Sequence, residues 1–193
     1  ANYNHPSLVT WVIFNESWGV RNISKNSQQR DLANGLYYLT KSIDRMRPVI
    51  SNDGWEHAKS DILTLHDYEQ DGSKLYKRYE TMCKITEGSS ENDQPMPFAD
   101  GCVYRGQPIV ISEFGGTAYV RDEATGWGYG TGVKNDEEFL DRFASLVCAV
   151  DKMGLSGFCY TQLTDVQQEV NGLLREDRTS KVPLEEIRKR NHR

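Results

Sequence analysis

From Leu8 to Phe14 the chain reads Leu-Val-Thr-Trp-Val-Ile-Phe, branched and aromatic residues without polar alternation, and it closes on Asn15-Glu16. Such side chains favour extended backbone, and an unalternating run predicts a strand buried on both faces, as parallel strands of α/β folds are. In those folds the carboxyl ends of the strands carry the chemistry. A lone glutamate ending a strand is ordinarily a capping or solvated carboxylate. Here the pattern recurs, because Pro108-Ile109-Val110-Ile111-Ser112 is a second apolar run and it ends in Glu113-Phe114-Gly115-Gly116. Two carboxylates at the same end of two parallel strands, with glycines leaving room beside one, suit hydrolysis of a glycosidic bond. A retaining mechanism needs them about 5 to 5.5 Å apart.

Three more short apolar runs have the same form. Val49 to Asn52 leads into Asp53-Gly54-Trp55-Glu56-His57, Asp61 to Leu65 ends in His66-Asp67-Tyr68, and Leu155 to Leu163 is followed by Thr164-Asp165-Val166. At a strand end Trp55 is placed either to stack on a sugar ring or to cover the rim of a barrel. His66 is either a hydrogen-bonded structural residue or one that touches substrate. Between the runs lie helical patterns. Leu32, Leu36, Leu39 and Ile43 form a stripe in a helix over 28–46, and Leu75, Tyr79 and Met82 mark one side of a helix over 75–85. Phe139, Phe143, Leu146, Val147 and Val150 line a helix over 136–153, capped by Asn135 or Asp136 and ended by Gly154. A terminal helix over 183–190 turns Ile187 inward. The polar stretch 86–100 predicts a surface loop. The stretch 117–134, rich in glycine and aromatics, predicts a long loop in which Trp127 is part of a sugar platform or of a packed lid.

Strand and helix in alternation, with carboxylates at one end, is the pattern of a (β/α)8 TIM barrel, and five of its eight strands are legible. At 193 residues and 22.1 kDa the chain has room for one sizeable core. A net charge of -5 with scattered basic residues leaves no footprint for nucleic acid or anionic lipid, and no run approaches a membrane span. The expected partner is a neutral carbohydrate. Cys83, Cys102, Cys148 and Cys159 lie far apart with no Cys-x-x-Cys pair, which predicts reduced and mostly buried thiols, a cytoplasmic setting and no structural zinc. No motif calls for a cofactor, and histidines are too few near Glu16 and Glu113 for a metal-dependent enzyme.

The chain resembles the family 2 glycoside hydrolases, the group of β-galactosidases, β-glucuronidases and β-mannosidases. Asn4-His5-Pro6-Ser7, the following strand and Asn15-Glu16 match that family's acid/base motif, and Ile111-Ser112-Glu113-Phe114-Gly115 matches its nucleophile motif. The resemblance implies that Glu113 attacks the anomeric carbon and that Glu16, held protonated by the neighbouring carboxylate, serves as acid and then base. It further implies that Asn15 bonds the sugar 2-hydroxyl and that the hydroxyl of Tyr68 contacts the nucleophile. Tyr160 stands where many members carry Trp under the sugar. The legible strands become the fourth to the eighth of the barrel, so the chain is expected to be the C-terminal part of a larger catalytic domain. Alone it is expected to be inactive and to self-associate through two exposed edges. Glucuronide-cleaving members carry an Asn-x-Lys pair ahead of Gly-x-x-x-x-Asp-Arg, whereas here Glu169-Val170-Asn171 runs straight into Gly172 to Arg178. That favours a neutral hexose, β-galactoside first. β-Glucuronidase, β-mannosidase and a non-catalytic carbohydrate-binding barrel remain the alternatives.

Overall fold

The computed structural model describes residues 2–88, 95–119 and 126–191. In chain order the elements are β1 (Trp11–Asn15), α1 (Ser27–Ile43), β2 (Val49–Asp53), β3 (Leu63–Asp67), α2 (Gly72–Tyr79), α3 (Met82–Glu87), β4 (Ile109–Gly115), β5 (Thr117–Tyr119), β6 (Tyr129–Val133), α4 (Asp136–Lys152), β7 (Gly157–Thr161) and α5 (Leu184–Asn191). The described strands group into three open sheets, β1-β2, β3-β4-β7 and β5-β6. Two compact units result, one of residues 1–66 with 81–112 and the other of 67–80 with 113–193. Among the described residues no helix is long and apolar enough to cross a membrane.

In the first unit β1 and β2 pair in parallel, Trp11 opposite Val49 and Asn15 opposite Asp53, with α1 as the connection. The end of β1 is therefore level with the end of β2. Asn26 caps α1 by accepting from the amides of Gln28 and Gln29. The indole of Trp11 donates to Asp44 at 3.0 Å, tying the far end of the helix to the first strand. Val20, Ile23, Ala33 and Ala58 form the core here, with Phe14 packed against it.

Two expectations fail in this unit. Strand β1 is not buried on both faces, since Val12 is 47 % and Val9 just before it 70 % exposed. A strand with one described neighbour has one edge and part of each face uncovered. The strand that does have the fully buried character is β3, all five of whose residues are buried. Helix α1 also presents a different face. Ala33 and Tyr37 are buried, while Leu32, Leu39 and Ile43 of the expected stripe are exposed. The rotation is fixed by polar anchors, for the Tyr37 hydroxyl donates to Asp61 at 2.5 Å and Lys41 pairs with the same carboxylate at 3.1 Å. Periodicity marks an apolar face and says nothing about a buried tyrosine whose hydroxyl has a half-buried acceptor.

The expected helix over 75–85 is two helices, because Thr81 adopts extended backbone and caps α3 by accepting from the Lys84 amide. Met82 consequently points outward, while Leu75 and Tyr79 are buried. The expected surface loop over 86–100 includes residues 89–94, which lie outside the described residues, and it ends in buried Phe98 and Ala99. All four cysteines remain thiols, but none is buried: Cys83 and Cys159 are exposed and the other two half-buried.

In the second unit α4 follows expectation. Asn135 caps it and Phe139, Phe143, Leu146, Val147 and Val150 are buried. Its first turn builds a core of Tyr119, Val133, Phe139, Leu140 and Val182, with Ile187 of α5 packed against it. The Tyr119 and Phe139 rings stack at 5.3 Å, each worth about 1.5–3 kcal/mol by burial. Gly72 opens α2 where a Cβ would lie 2.4 Å from the Ser145 carbonyl, so α2 approaches α4 as closely as backbone allows. The stretch read as one long loop over 117–134 contains the short parallel pair β5-β6, with an irregular register between Thr117 and Tyr119. Residues 120–125 within it lie outside the described residues.

Candidate active site

Glu16 is the first residue beyond β1, and its amide donates to the Asp53 carbonyl at 3.0 Å, continuing the ladder by one step. There the chain turns sharply: Glu16 and Ser17 have φ of 51° and 58°, left-handed backbone that non-glycine residues seldom adopt. The turn is held from below. The Ser17 amide donates to Asn52 Oδ1 at 2.9 Å, and the Ser17 hydroxyl donates to Glu56 at 2.6 Å while accepting from Asn52 at 3.0 Å. Asn15, beside it, is exposed.

Against the Glu16 carboxyl stands His66, whose side chain is fully buried. Its Nδ1 is 2.8 Å from Glu16 Oε1, and its Nε2 is 3.4 Å from Asp53 Oδ2. The other oxygen of Asp53 accepts from the Ser112 hydroxyl at 2.7 Å. Burial pushes the Asp53 carboxyl up, but hydrogen bonds from His66, Thr64 and Ser112 outweigh it and hold the group below the usual carboxylate range. Gly54 makes the arrangement possible. Its φ is +96°, and a Cβ there would lie 2.7 Å from the His66 ring. Trp55 meets His66 edge-on, with centroids 5.7 Å apart. His57 is a structural histidine, bonded to Ser60 Oγ at 2.9 Å and to the Thr64 backbone at 3.0 Å. Burial lowers it to about 4, so it is neutral.

The second unit holds the other carboxylate. Glu113 lies within β4 and accepts from the Tyr68 hydroxyl. Burial raises the Tyr68 phenol far above its ordinary value, and the bond to Glu113 raises it further, so Tyr68 stays a donor throughout the ordinary pH range. The Tyr68 ring stacks on Tyr129 with centroids 3.4 Å apart, and Trp127 meets Tyr129 edge-on at 5.8 Å. Trp127 is half exposed, and its backbone is tied to Gln168 and Val170. Asp67, the last residue of β3, accepts from Arg78 at 2.7 and 2.9 Å and from the Tyr79 hydroxyl at 3.0 Å, which anchors α2 beneath Tyr68.

Gly115 and Gly116 have φ of +89° and +62°, and the room beside them is filled rather than open. A Cβ on Gly115 would lie 2.2 Å from the Tyr160 ring, and one on Gly116 would lie 2.4 Å from Tyr129 and 2.9 Å from Tyr68. Tyr160 itself packs edge-on between Phe114 and Phe143, with its hydroxyl buried. Burial raises that hydroxyl to about 12. The aromatic rings thus take the space that glycines open in the strand.

Of the residues singled out from the sequence, Glu16, His66 and Trp55 come together in the first unit, with Asn15 adjoining, and Glu113, Tyr68, Trp127 and Tyr160 lie in the second. Sequence reasoning passed over Asp53, though an aspartate at the end of β2 was a visible signal. It also passed over Trp18, which is 62 % exposed two residues beyond Glu16, with the Arg21 guanidinium 4.6 Å above its ring.

No curated protein gives a significant match to the chain. Solved structures resemble it over nearly its whole length. A β-glucuronidase of Faecalibacterium prausnitzii superposes with a TM-score of 0.66 at 19 % identity, covering 98 % of this chain and 32 % of that one. One of Ruminococcus gnavus gives 0.64 at 14 %, covering 97 % and 32 %, and one of Bifidobacterium dentium 0.62 at 18 %, covering 97 % and 31 %. The chain therefore spans about a third of the length of these structures, and at such identity the likeness speaks for the fold. The family model of the glycosyl hydrolases family 2 TIM barrel domain matches residues 1–193. Matched from end to end by that model, the chain belongs to glycosyl hydrolase family 2 and is TIM-barrel sequence.

Proposed function

We propose that the chain carries both catalytic carboxylates of a retaining β-glycosidase, as strands four to eight of its barrel, and acts within a longer protein that supplies the remaining strands. The observation that carries this reading is the unlike setting of the two glutamates. Glu113 accepts from a phenol that stays protonated, which favours the ionised, nucleophilic carboxylate. Glu16 faces an imidazole, the partner of a proton-handling group. In the first half-reaction Glu113 forms a bond to the anomeric carbon as the glycosidic bond breaks, and Glu16 gives its proton to the departing oxygen. In the second, water attacks the same carbon, the ester to Glu113 breaks, and Glu16 takes the water's proton. A retaining mechanism of this kind needs its two carboxyl groups about 5 to 5.5 Å apart. Asn15 takes the sugar 2-hydroxyl, Trp55 and Trp127 offer ring faces to the sugar, and Tyr160 underlies the nucleophile.

The sugar is a terminal β-linked hexose without a carboxylate, because Glu169-Val170-Asn171 runs directly into Gly172 without the Asn-x-Lys pair, and β-galactose comes first because galactosidases are common in the family. Asn171 is fully buried, with its carbonyl oxygen accepting from Gln162 at 2.8 Å and its amide donating to Glu169 at 3.3 Å. The second reading is a β-glucuronidase, favoured by the names of the structures that resemble the chain. A panel of p-nitrophenyl β-galactoside, β-glucuronide, β-mannoside and β-glucoside, assayed on the full-length protein and on its Glu113→Gln variant, separates them. Turnover lost in the variant supports the reading; a wild type inactive on every β-glycoside supports the non-catalytic carbohydrate-binding alternative.

A further inference from the structure

We propose that His66 is a positioning residue for the acid/base, a buried imidazolium clamped between Asp53 and Glu16 that fixes which oxygen of Glu16 works and stabilises the carboxylate left after proton transfer. The inference rests on the assignment of Glu16 as acid/base and adds a part to it. His66 has no exposed side-chain surface, and each ring nitrogen faces a carboxyl oxygen, Nδ1 at 2.8 Å from Glu16 Oε1 and Nε2 at 3.4 Å from Asp53 Oδ2. A neutral imidazole has one N–H and one lone pair, so once Glu16 has given up its proton one of those two contacts would set a lone pair against a carboxylate oxygen. With both nitrogens protonated, Nδ1–H donates to Glu16 and the charged ring stands in ion-pair contact with Asp53. Asp53 is kept ionised as the counter-ion, its other oxygen accepting from Ser112 at 2.7 Å.

The consequence for Glu16 is geometric. Oε1 is occupied by the Nδ1–H donor, so the transferable proton resides on Oε2. When that proton passes to the leaving oxygen, Glu16 becomes a carboxylate beside a positive charge on a fully buried ring, and the bond between them is charge-assisted. When water attacks, the proton returns to Oε2 and the Nδ1–H bond to Oε1 is unchanged. The imidazolium neither gains nor loses a proton in the cycle. The backbone is built around this clamp: the Gly54 position admits no side chain against the ring, and the Glu16 turn is left-handed. The charged and titratable groups around His66 within its unit are Glu16 beyond β1 and Asp53, Glu56 and His57 at and after β2. His57 is neutral, and Glu56 is taken up by the Ser17 hydroxyl at 2.6 Å.

The test uses the full-length protein and two variants. His66→Gln removes the charge and the clamp. Asp53→Asn removes the counter-ion, lets the imidazole become neutral and leaves its Nδ1–H on Glu16. For both, kcat/KM is measured against pH with a dinitrophenyl glycoside, which departs without acid help, and with a phenyl glycoside, which does not. We expect the phenyl substrate to lose about tenfold or more and the dinitrophenyl substrate to change within about threefold. The basic limb of the phenyl profile moves to higher pH in both variants. An equal loss on both substrates with unmoved limbs would overturn the proposal and make His66 a packing or substrate contact. Nitrogen NMR of histidine-labelled wild type reads the clamp without activity. Two protonated ring nitrogens at His66 from pH 5 to 8 are expected, and a single protonated nitrogen would overturn it. Activity that survives Glu113→Gln would instead defeat the assignment of the nucleophile and leave the nitrogen measurement standing.

Discussion

Tyr68→Phe in the full-length protein isolates one hydroxyl. The ring stays stacked on Tyr129, because that 3.4 Å contact needs no oxygen, and the bond to Glu113 is lost together with the phenol oxygen's bond to the Thr161 side chain. A hydrogen bond to a charged group is worth about 1.5–3 kcal/mol, and here it favours ionised Glu113 over protonated Glu113. At 1.36 kcal/mol per tenfold, the ionised fraction on the acid side of the profile falls by about ten- to a hundredfold. The attack requires the ionised form, so kcat/KM at acid pH falls by that factor, the acid limb moves to higher pH, and the rate recovers on the alkaline side. Tyr68 itself does not titrate in this range, since burial and the bond to Glu113 hold the phenol protonated. The assay is a pH profile of wild type and variant on an aryl β-glycoside with a good leaving group, where acid help is not limiting. A uniform loss across the whole profile would refute the reasoning and reduce Tyr68 to a substrate contact.

Phe139→Ala empties a site that is 0 % exposed and stacked on Tyr119, so it should cost about 3–5 kcal/mol in urea unfolding; a cost below about 1 would mean that this core is loosely packed. His57, lowered by burial from 6.5 to about 4, binds its proton later than an unfolded chain does as pH falls. Its share of the stability, roughly 3 kcal/mol, is therefore lost between those two values, and an imidazole NMR titration with a midpoint near 6.5 would contradict this. The 193-residue chain alone should hydrolyse no β-galactoside and should elute above its 22.1 kDa monomer mass, given that Val9, Ile43 and Met46 of one unit and Leu163 of the other are 68 to 85 % exposed. Light scattering that finds a compact, active monomer would refute it.

Much of the fold was legible because strands and the best-marked helix announce themselves locally. The five apolar runs became β1, β2, β3, β4 and β7, and Asn135 and Gly154 bracket α4 where the cap residues said they would. What was illegible depends on partners distant in sequence. The facing of α1 is set by Asp61, some twenty residues on, and the exposure of β1 by the scarcity of neighbours to cover it. The break at Thr81 was local but subtle, a threonine side chain competing for an amide. The two glutamates were legible as strand ends, while their surroundings were not. That Gly54 admits the His66 ring, and that Asp53 answers its far nitrogen, follows from the pairing of Asn15 with Asp53, which no single-segment pattern contains. Gly115 and Gly116 looked like room for a sugar and proved to be room for tyrosines.

The central claim is that Glu113 becomes covalently bound to the sugar, and the most direct measurement is to trap it. In a 2-deoxy-2-fluoro β-glycoside the fluorine slows both half-reactions while the activated leaving group restores the first, so the ester accumulates. Mass spectrometry of the digested full-length protein should find one fluoroglycosyl group on the peptide containing Ile111-Ser112-Glu113, with none after Glu113→Gln. An adduct on the Glu16 peptide, or hydrolysis with inversion and no adduct at all, would contradict the account.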